Sequence, residues 1–174
     1  SSGVTNASWP GATFDIFDGG GDLRTLKANL AGLLTGSELN YDLQFDMYFS
    51  LDSADSLEII HAGVTDNAMT TRHIGIKITG GTLYGFARWS STEQTTGALL
   101  TISGTDVVFV RVHYDAGADV INFYVNGELV DTLEPLAAVS MSNQFAIYCE
   151  DNGAEGTVLR VYRMTLARSL IEVT

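Results

Sequence analysis

The chain has 174 residues, 45% of them hydrophobic and 10% aromatic, with 9 basic against 21 acidic side chains and a net charge of −12. That length and apolar content suit one domain, residues 1–174, with a substantial core, and exclude a disordered chain, which buries too little apolar surface to offset its ordering entropy. The charge sets the surface against nucleic acid and anionic membranes. No apolar run approaches the roughly 18 residues that insert as a membrane span, and one cysteine, Cys149, excludes an internal disulfide.

In chain order, the first alternating segment is short, and a strand is expected at Thr13–Phe17. Leu23–Leu34 reads as one short helix: Leu23, Leu26, Leu30, Leu33 and Leu34 fall on helical spacing, Asp22 is suited to cap the start and Gly36 the end. Gly32 inside it weakens a helix and leaves an irregular loop with apolar anchors as the other reading. Leu39–Phe49 alternates for eleven residues, with Leu39, Tyr41, Leu43, Phe45, Met47 and Phe49 on one face and Asn40, Asp42, Gln44, Asp46 and Tyr48 on the other. Such a period of two predicts a long strand with one wet side. Further strands are expected at Leu57–Val64, His73–Thr79, Thr82–Trp89, Leu99–Ser103, Gln144–Glu150 and Thr157–Leu166, and Val107–Leu133 reads as three in succession. Glycines punctuate these runs and only two prolines occur, which is the rhythm of an all-β sandwich.

Two hairpins can be registered from the requirement that cross-strand partners share a face. With Ala116-Gly117-Ala118-Asp119 as the loop, Tyr114 opposes Ile121, Val112 opposes Phe123 and Val110 opposes Val125; Asn126-Gly127 then turns the chain into a third strand. The other face carries Phe109, Arg111 and His113 beside Asn122, Tyr124 and Asn126. A Gly80-Gly81 turn likewise pairs Ile78 with Leu83, Ile76 with Gly85 and Ile74 with Ala87, which places His73, Lys77, Tyr84, Phe86 and Arg88 on the non-core side.

Aromatic rings mixed with Arg, His and Asn suit a polyhydroxylated ligand, because rings stack on the apolar faces of sugars while amides and guanidinium groups donate to hydroxyls. Tyr84, Phe86, Arg88, Arg111, His113, Asn122 and Tyr124 are therefore the candidate glycan contacts. The plainer reading is an ordinary or loop-covered outer face, with Arg111 and Tyr124 forming a cross-strand cation–π pair.

Catalytic patterns are not found. A sandwich glycosidase commonly carries Glu-x-Asp-x-x-Glu or Glu-x-Asp-x-Glu on one strand, and neither run occurs. Asp42 and Asp46 share a face but lie about 13 Å apart along a strand, too far for a typical carboxylate pair, and read as a solvated face. His61 and His73 fall on neighbouring strands without a third ligand fixed by spacing, which argues against zinc. Calcium suits the acidic loops better, led by Glu150, Asp151, Asn152 and Glu155, although Asp, Asn and Gly are also what turns require.

The run Val108-Phe-Val-Arg-Val-His-Tyr-Asp, followed by Ile121-Asn-Phe-Tyr-Val-Asn-Gly-Glu-Leu-Val, resembles the laminin-G-like, concanavalin A-like lectin/glucanase sandwiches. In these a strand ending Tyr-Asp precedes one reading aliphatic-Tyr-Val-Asp/Asn-Gly. Val158-Leu-Arg-Val-Tyr-Arg-Met-Thr-Leu-Ala is similar to the closing strand of the group; Phe109 stands near where a Trp is common. The resemblance implies an all-β, antiparallel two-sheet jelly-roll β-sandwich. Its members are often non-catalytic extracellular or virion-surface modules, many of which bind glycans and some of which use calcium. The expectation is a carbohydrate-binding or adhesive module on a secreted protein, cell surface or virion. The alternative is a structural subunit of a virion decoration, tail fibre or filament, using the sandwich for self-assembly or for contact with neighbouring subunits.

Overall fold

Alternation of apolar and polar residues organises this chain into antiparallel strands, and the computed structural model describes residues 5–16, 22–29, 41–52, 59–65, 72–89, 92–104, 106–134, 144–151 and 157–170. The strands are β1 (Thr5–Ile16), β2 (Asp22–Asn29), β3 (Tyr41–Asp52), β4 (Ile59–Thr65), β5 (Arg72–Thr79) and β6 (Thr82–Trp89), then β7 (Thr92–Thr101), β8 (Val108–Asp115), β9 (Val120–Val125), β10 (Glu128–Leu133), β11 (Gln144–Asp151) and β12 (Thr157–Leu170). They form two six-stranded sheets, the first in the order β1-β12-β3-β8-β9-β10 and the second in the order β2-β11-β4-β5-β6-β7. Among the described residues no helix is long and apolar enough to cross a membrane.

The core lies between the sheets and is built by the alternation. On β3, Leu43, Phe45, Met47, Phe49 and Leu51 are buried and meet Ile60, Ala62, Ile76 and Ile78 of the second sheet in one apolar cluster. Burial of each Leu, Ile, Phe or Met side chain in this set contributes about 1.5–3 kcal/mol. Gly85 on β6 marks how closely the sheets approach: a Cβ there would lie 2.6 Å from the Phe123 ring of β9.

Both hairpin registers hold as read from the sequence. Tyr114, Val112 and Val110 face Ile121, Phe123 and Val125, and Ile78, Ile76 and Ile74 face Leu83, Gly85 and Ala87. The tight turns place Gly80 and Gly81 at φ 53° and 71°, and Asn126 and Gly127 at 52° and 92°. Two-residue turns of this hand match the twist of the flanking strands and favour Gly and Asn.

Three expectations need correction. The helix over Leu23–Leu34 is instead strand β2 over Asp22–Asn29, with Leu26 opposite Ile147 and Ala28 opposite Phe145 on β11; residues 30–34 lie outside the described residues. Sheet pairing supplies its backbone hydrogen bonds, and tertiary context overrides the local leucine spacing. β1 begins well before Thr13 and runs through Pro10, which an edge strand tolerates because one side of its backbone needs no ladder partner. β7 begins before Leu99; it too is an edge strand, largely exposed and twice shifted in register against β6, so its periodicity is faint.

Candidate functional site

The seven residues singled out as sugar contacts divide between the outward faces of two different sheets. Arg111, His113, Asn122 and Tyr124 lie on the first sheet; Tyr84, Phe86 and Arg88 lie on the second. The core separates these faces, so the seven form two surfaces and not one groove.

On the first sheet, register sets three rows across β3, β8 and β9: Gln44, His113 and Asn122; Asp46, Arg111 and Tyr124; Tyr48 and Phe109. Arg111 Nε donates to Asp46 Oδ1 at 2.8 Å and its Nη2 to Oδ2 at 2.9 Å, a forked pair. That hydrogen bond holds the Arg111 guanidinium above its ordinary pKa. Gln44 Nε2 also donates to Asp46 Oδ2, at 3.2 Å. Asp46 is thus a shared acceptor and not part of a solvated face. Asp42 is engaged as well, its Oδ1 accepting the Ala116 N–H at 3.0 Å. The ring beneath the Arg111 guanidinium is Phe109, at 5.7 Å, and not the cross-strand Tyr124.

Tyr48 stacks on Phe109 with centroids 4.5 Å apart and planes at 28°, and remains 38% exposed. His113, Asn122 and Tyr124 are half-buried beside this pair, and Asn122 Oδ1 accepts from Thr132 Oγ1 at 3.0 Å. The face offers an exposed ring next to a fixed guanidinium–carboxylate pair. Such an arrangement can stack a sugar ring and exchange hydrogen bonds with its hydroxyls.

The face continues onto β12, where sequence reasoning proposed no contact. The β12–β3 register shifts between Val161 and Arg163, so Tyr162 and Arg163 are both exposed between buried Val161 and Met164. The Tyr162 hydroxyl lies 3.0 Å from Ser50 Oγ, and Arg163 is the cross-strand partner of Tyr48. The signal was present as a step of three between apolar residues in Leu159, Val161, Met164 and Leu166 where alternation gives two.

The second sheet's outward face is closed at its centre. Phe86 is 2% exposed and His73 wholly buried. Gly63 and Gly75 face each other on β4 and β5, and Gly75 faces Phe86 on β6; a Cβ on either glycine would strike the backbone of the other strand. The missing side chains let the Phe86 ring reach across β5 to within 4.7 Å of His61 on β4, with His73 at 5.3 Å. Lys77 and Arg88 each approach the same ring at 5.8 Å, and Arg88 pairs with Glu93. Burial, then the Lys77 and Arg88 charges, push His61 down to about 4; burial, His61 and Arg88 drive His73 well below its ordinary value. Neither His73 ring nitrogen has a hydrogen-bond partner among the described residues. Phe86 in this position packs against protein and presents no face to a ligand, while Tyr84 is half-buried at the margin.

Of the calcium candidates, Glu150 and Asp151 belong to strand β11 and not to a loop, while Asn152 and Glu155 lie outside the described residues. Among the described residues no group of three or more His, Cys, Asp or Glu is placed to hold a metal ion.

No protein-family pattern and no characterised protein sequence matches the chain. Solved structures do. The botulinum neurotoxin serotype D/C binding domain superposes with a TM-score of 0.60 at 10% identity over 90% of this chain and 43% of its own. A botulinum neurotoxin type C structure, described as entering cells through two ganglioside molecules, gives 0.56 at 13% identity over 90% of this chain and 42% of its own. A protein of unknown function from Shewanella oneidensis MR-1 gives 0.56 at 12% identity, covering 96% of this chain and 79% of that one. This chain spans less than half the length of the neurotoxin chains it matches. At such identities the likeness establishes the fold, a concanavalin A-like jelly-roll sandwich.

Proposed function

We propose that the protein is a non-catalytic carbohydrate-binding or adhesive module acting outside a cell or on a virion surface, and that the outward face of the first sheet contacts the glycan. The observation that carries this reading is the exposed Tyr48 ring stacked on Phe109 beside the Arg111–Asp46 fork. The neurotoxin binding domains that share the fold include one solved with a sialylated ligand, "SialylT", which adds support by analogy of architecture alone. Arg111, His113, Asn122 and Tyr124 stay in the proposed contact set and Tyr48 and Phe109 join it, whereas buried Phe86 and salt-bridged Arg88 have no part in it. Calcium at Glu150, Asp151, Asn152 and Glu155 is a separate part of the proposal, checked by whether added calcium raises the melting temperature.

Affinity electrophoresis through immobilised neutral and acidic polysaccharides tests the main reading. Tyr48→Ala and Tyr124→Ala should each weaken retention about tenfold, the effect of losing a ring worth roughly 1.5 kcal/mol. Retention unchanged in both variants removes this face from consideration. A second reading, assembly of structural subunits, draws on β10, an edge strand with Leu129 56% and Val130 45% exposed. Concentration-dependent self-association that Leu129→Lys abolishes, without retention on any polysaccharide, favours it.

A further inference from the structure

We propose that the bulge in β12 builds a subsite for an anionic group on a sugar, a carboxylate or a sulfate, with Arg163 as the recognising cation and Tyr48 and Tyr162 as the rings beside it. This rests on the glycan-binding reading and deepens it by naming the ligand class. In regular pairing, successive residues of β12 alternate between core and surface. The register shift between Val161 and Arg163 breaks that alternation and turns Tyr162 and Arg163 outward together. Bulges of this kind re-aim side chains and are over-represented beside functional sites.

Each component is placed. Tyr162 is 48% exposed, yet its hydroxyl is tied to the wholly buried Ser50 Oγ at 3.0 Å, which holds the ring to the outward face of the sheet. Tyr48 is the cross-strand partner of Arg163, so their side chains leave the sheet about 5 Å apart. Tyr48 is in turn backed by Phe109.

Charge separates Arg163 from the other described arginines of known partner. Asp46 engages Arg111 with both oxygens, and Glu93 pairs with Arg88, whereas Arg163 has no carboxylate partner among the described residues. With the Arg111 and Asp46 charges cancelling each other, Arg163 is left on this face as a cation without a carboxylate partner among the described residues, on a protein whose net charge is −12. A guanidinium between two tyrosines suits an anionic sugar: the fork takes the carboxylate or sulfate oxygens, and the rings take the apolar face of the pyranose.

The test compares the intact chain on dextran, dextran sulfate and hyaluronan, which offer a neutral, a sulfated and a carboxylate-bearing polymer. The expected result is stronger retention on dextran sulfate, hyaluronan or both than on dextran, and the responding polymer identifies the anion. Arg163→Gln should reduce that retention roughly tenfold or more, the effect of losing a charge-assisted hydrogen bond, while leaving any retention on dextran and the melting temperature unchanged. Lys77→Gln, which alters the net charge equally on the other sheet, should leave retention unchanged. Retention on dextran alone, or equal loss from Arg163→Gln and Lys77→Gln, overturns the anionic subsite and leaves the glycan-binding reading standing. No retention on these or any other polysaccharide overturns both.

Discussion

At the scale of single residues, Asp46 organises the first sheet's outward face by accepting from both Arg111 and Gln44. The ion pair is partly solvated on the arginine side, so its contribution to stability is small and screened by salt. Asp46→Asn should lower the unfolding free energy by about 0.5–1 kcal/mol at low ionic strength, with the difference shrinking at high salt, as read from urea midpoints. An unchanged midpoint at low salt would show that Arg111 finds an equivalent partner. Alternation in the sequence was enough to put Arg111 and Asp46 outside the core. It did not pair them, because which neighbour a long side chain reaches depends on rotamer and strand register, and the register between β3 and β8 joins segments far apart in the chain. For the same reason Asp42, outwardly a solvated residue of an alternating strand, turns out to anchor the Ala116 amide at the β8–β9 hairpin.

At the scale of elements, legibility followed how strongly each strand alternates. β3, β8 and β9 have one buried and one wet side, and the sequence pattern recovers their faces and, for the β8–β9 hairpin, the register and the turn. β2 misleads because its leucines recur at helical spacing, while its pairing with β11 is a long-range contact that local pattern does not contain. The second sheet's centre hides a different property. A basic and aromatic outward face reads as a ligand surface, but the Gly63–Gly75 pair lets Phe86 pack against two histidines that burial keeps neutral. Their folded pKa values lie below the unfolded value of 6.5, so at lower pH the unfolded chain binds protons that the folded chain refuses. Stability is therefore complete above about 6.5 and is lost as pH falls toward the His61 value of about 4. His73 carries an additional cost, since both ring nitrogens are buried without partners among the described residues. His73→Leu should raise stability near neutrality by about 1 kcal/mol and flatten the acid limb of a urea-midpoint profile against pH. A destabilised variant with an unchanged acid limb would show that the imidazole is satisfied in solution.

At the scale of the whole molecule, the two sheets are complementary surfaces, and that complementarity is the part of the fold least visible in the sequence. Pattern names the inward residues of the clearly alternating strands, but it does not say that Gly85 of β6 lies under Phe123 of β9, because the sheets meet through a relative position that no single strand encodes. A Cβ on Gly85 would approach the Phe123 ring to 2.6 Å, closer than van der Waals contact allows. Gly85→Ala should therefore destabilise by about 1–3 kcal/mol through overpacking. Phe123→Leu removes part of the ring that the new methyl strikes, and alone it should cost on the order of 1–2 kcal/mol for lost burial and an incompletely filled space. If the inter-sheet contact is the cause, the double variant will be more stable than the sum of the two losses predicts, by a coupling of about 0.5–3 kcal/mol. Additive losses would place the Gly85 effect elsewhere, for instance in its amide, which donates to Thr96 Oγ1 at 2.8 Å. The cycle separates these because a disturbed Gly85–Thr96 bond is indifferent to the size of residue 123, whereas a steric clash between sheets disappears with the ring that causes it.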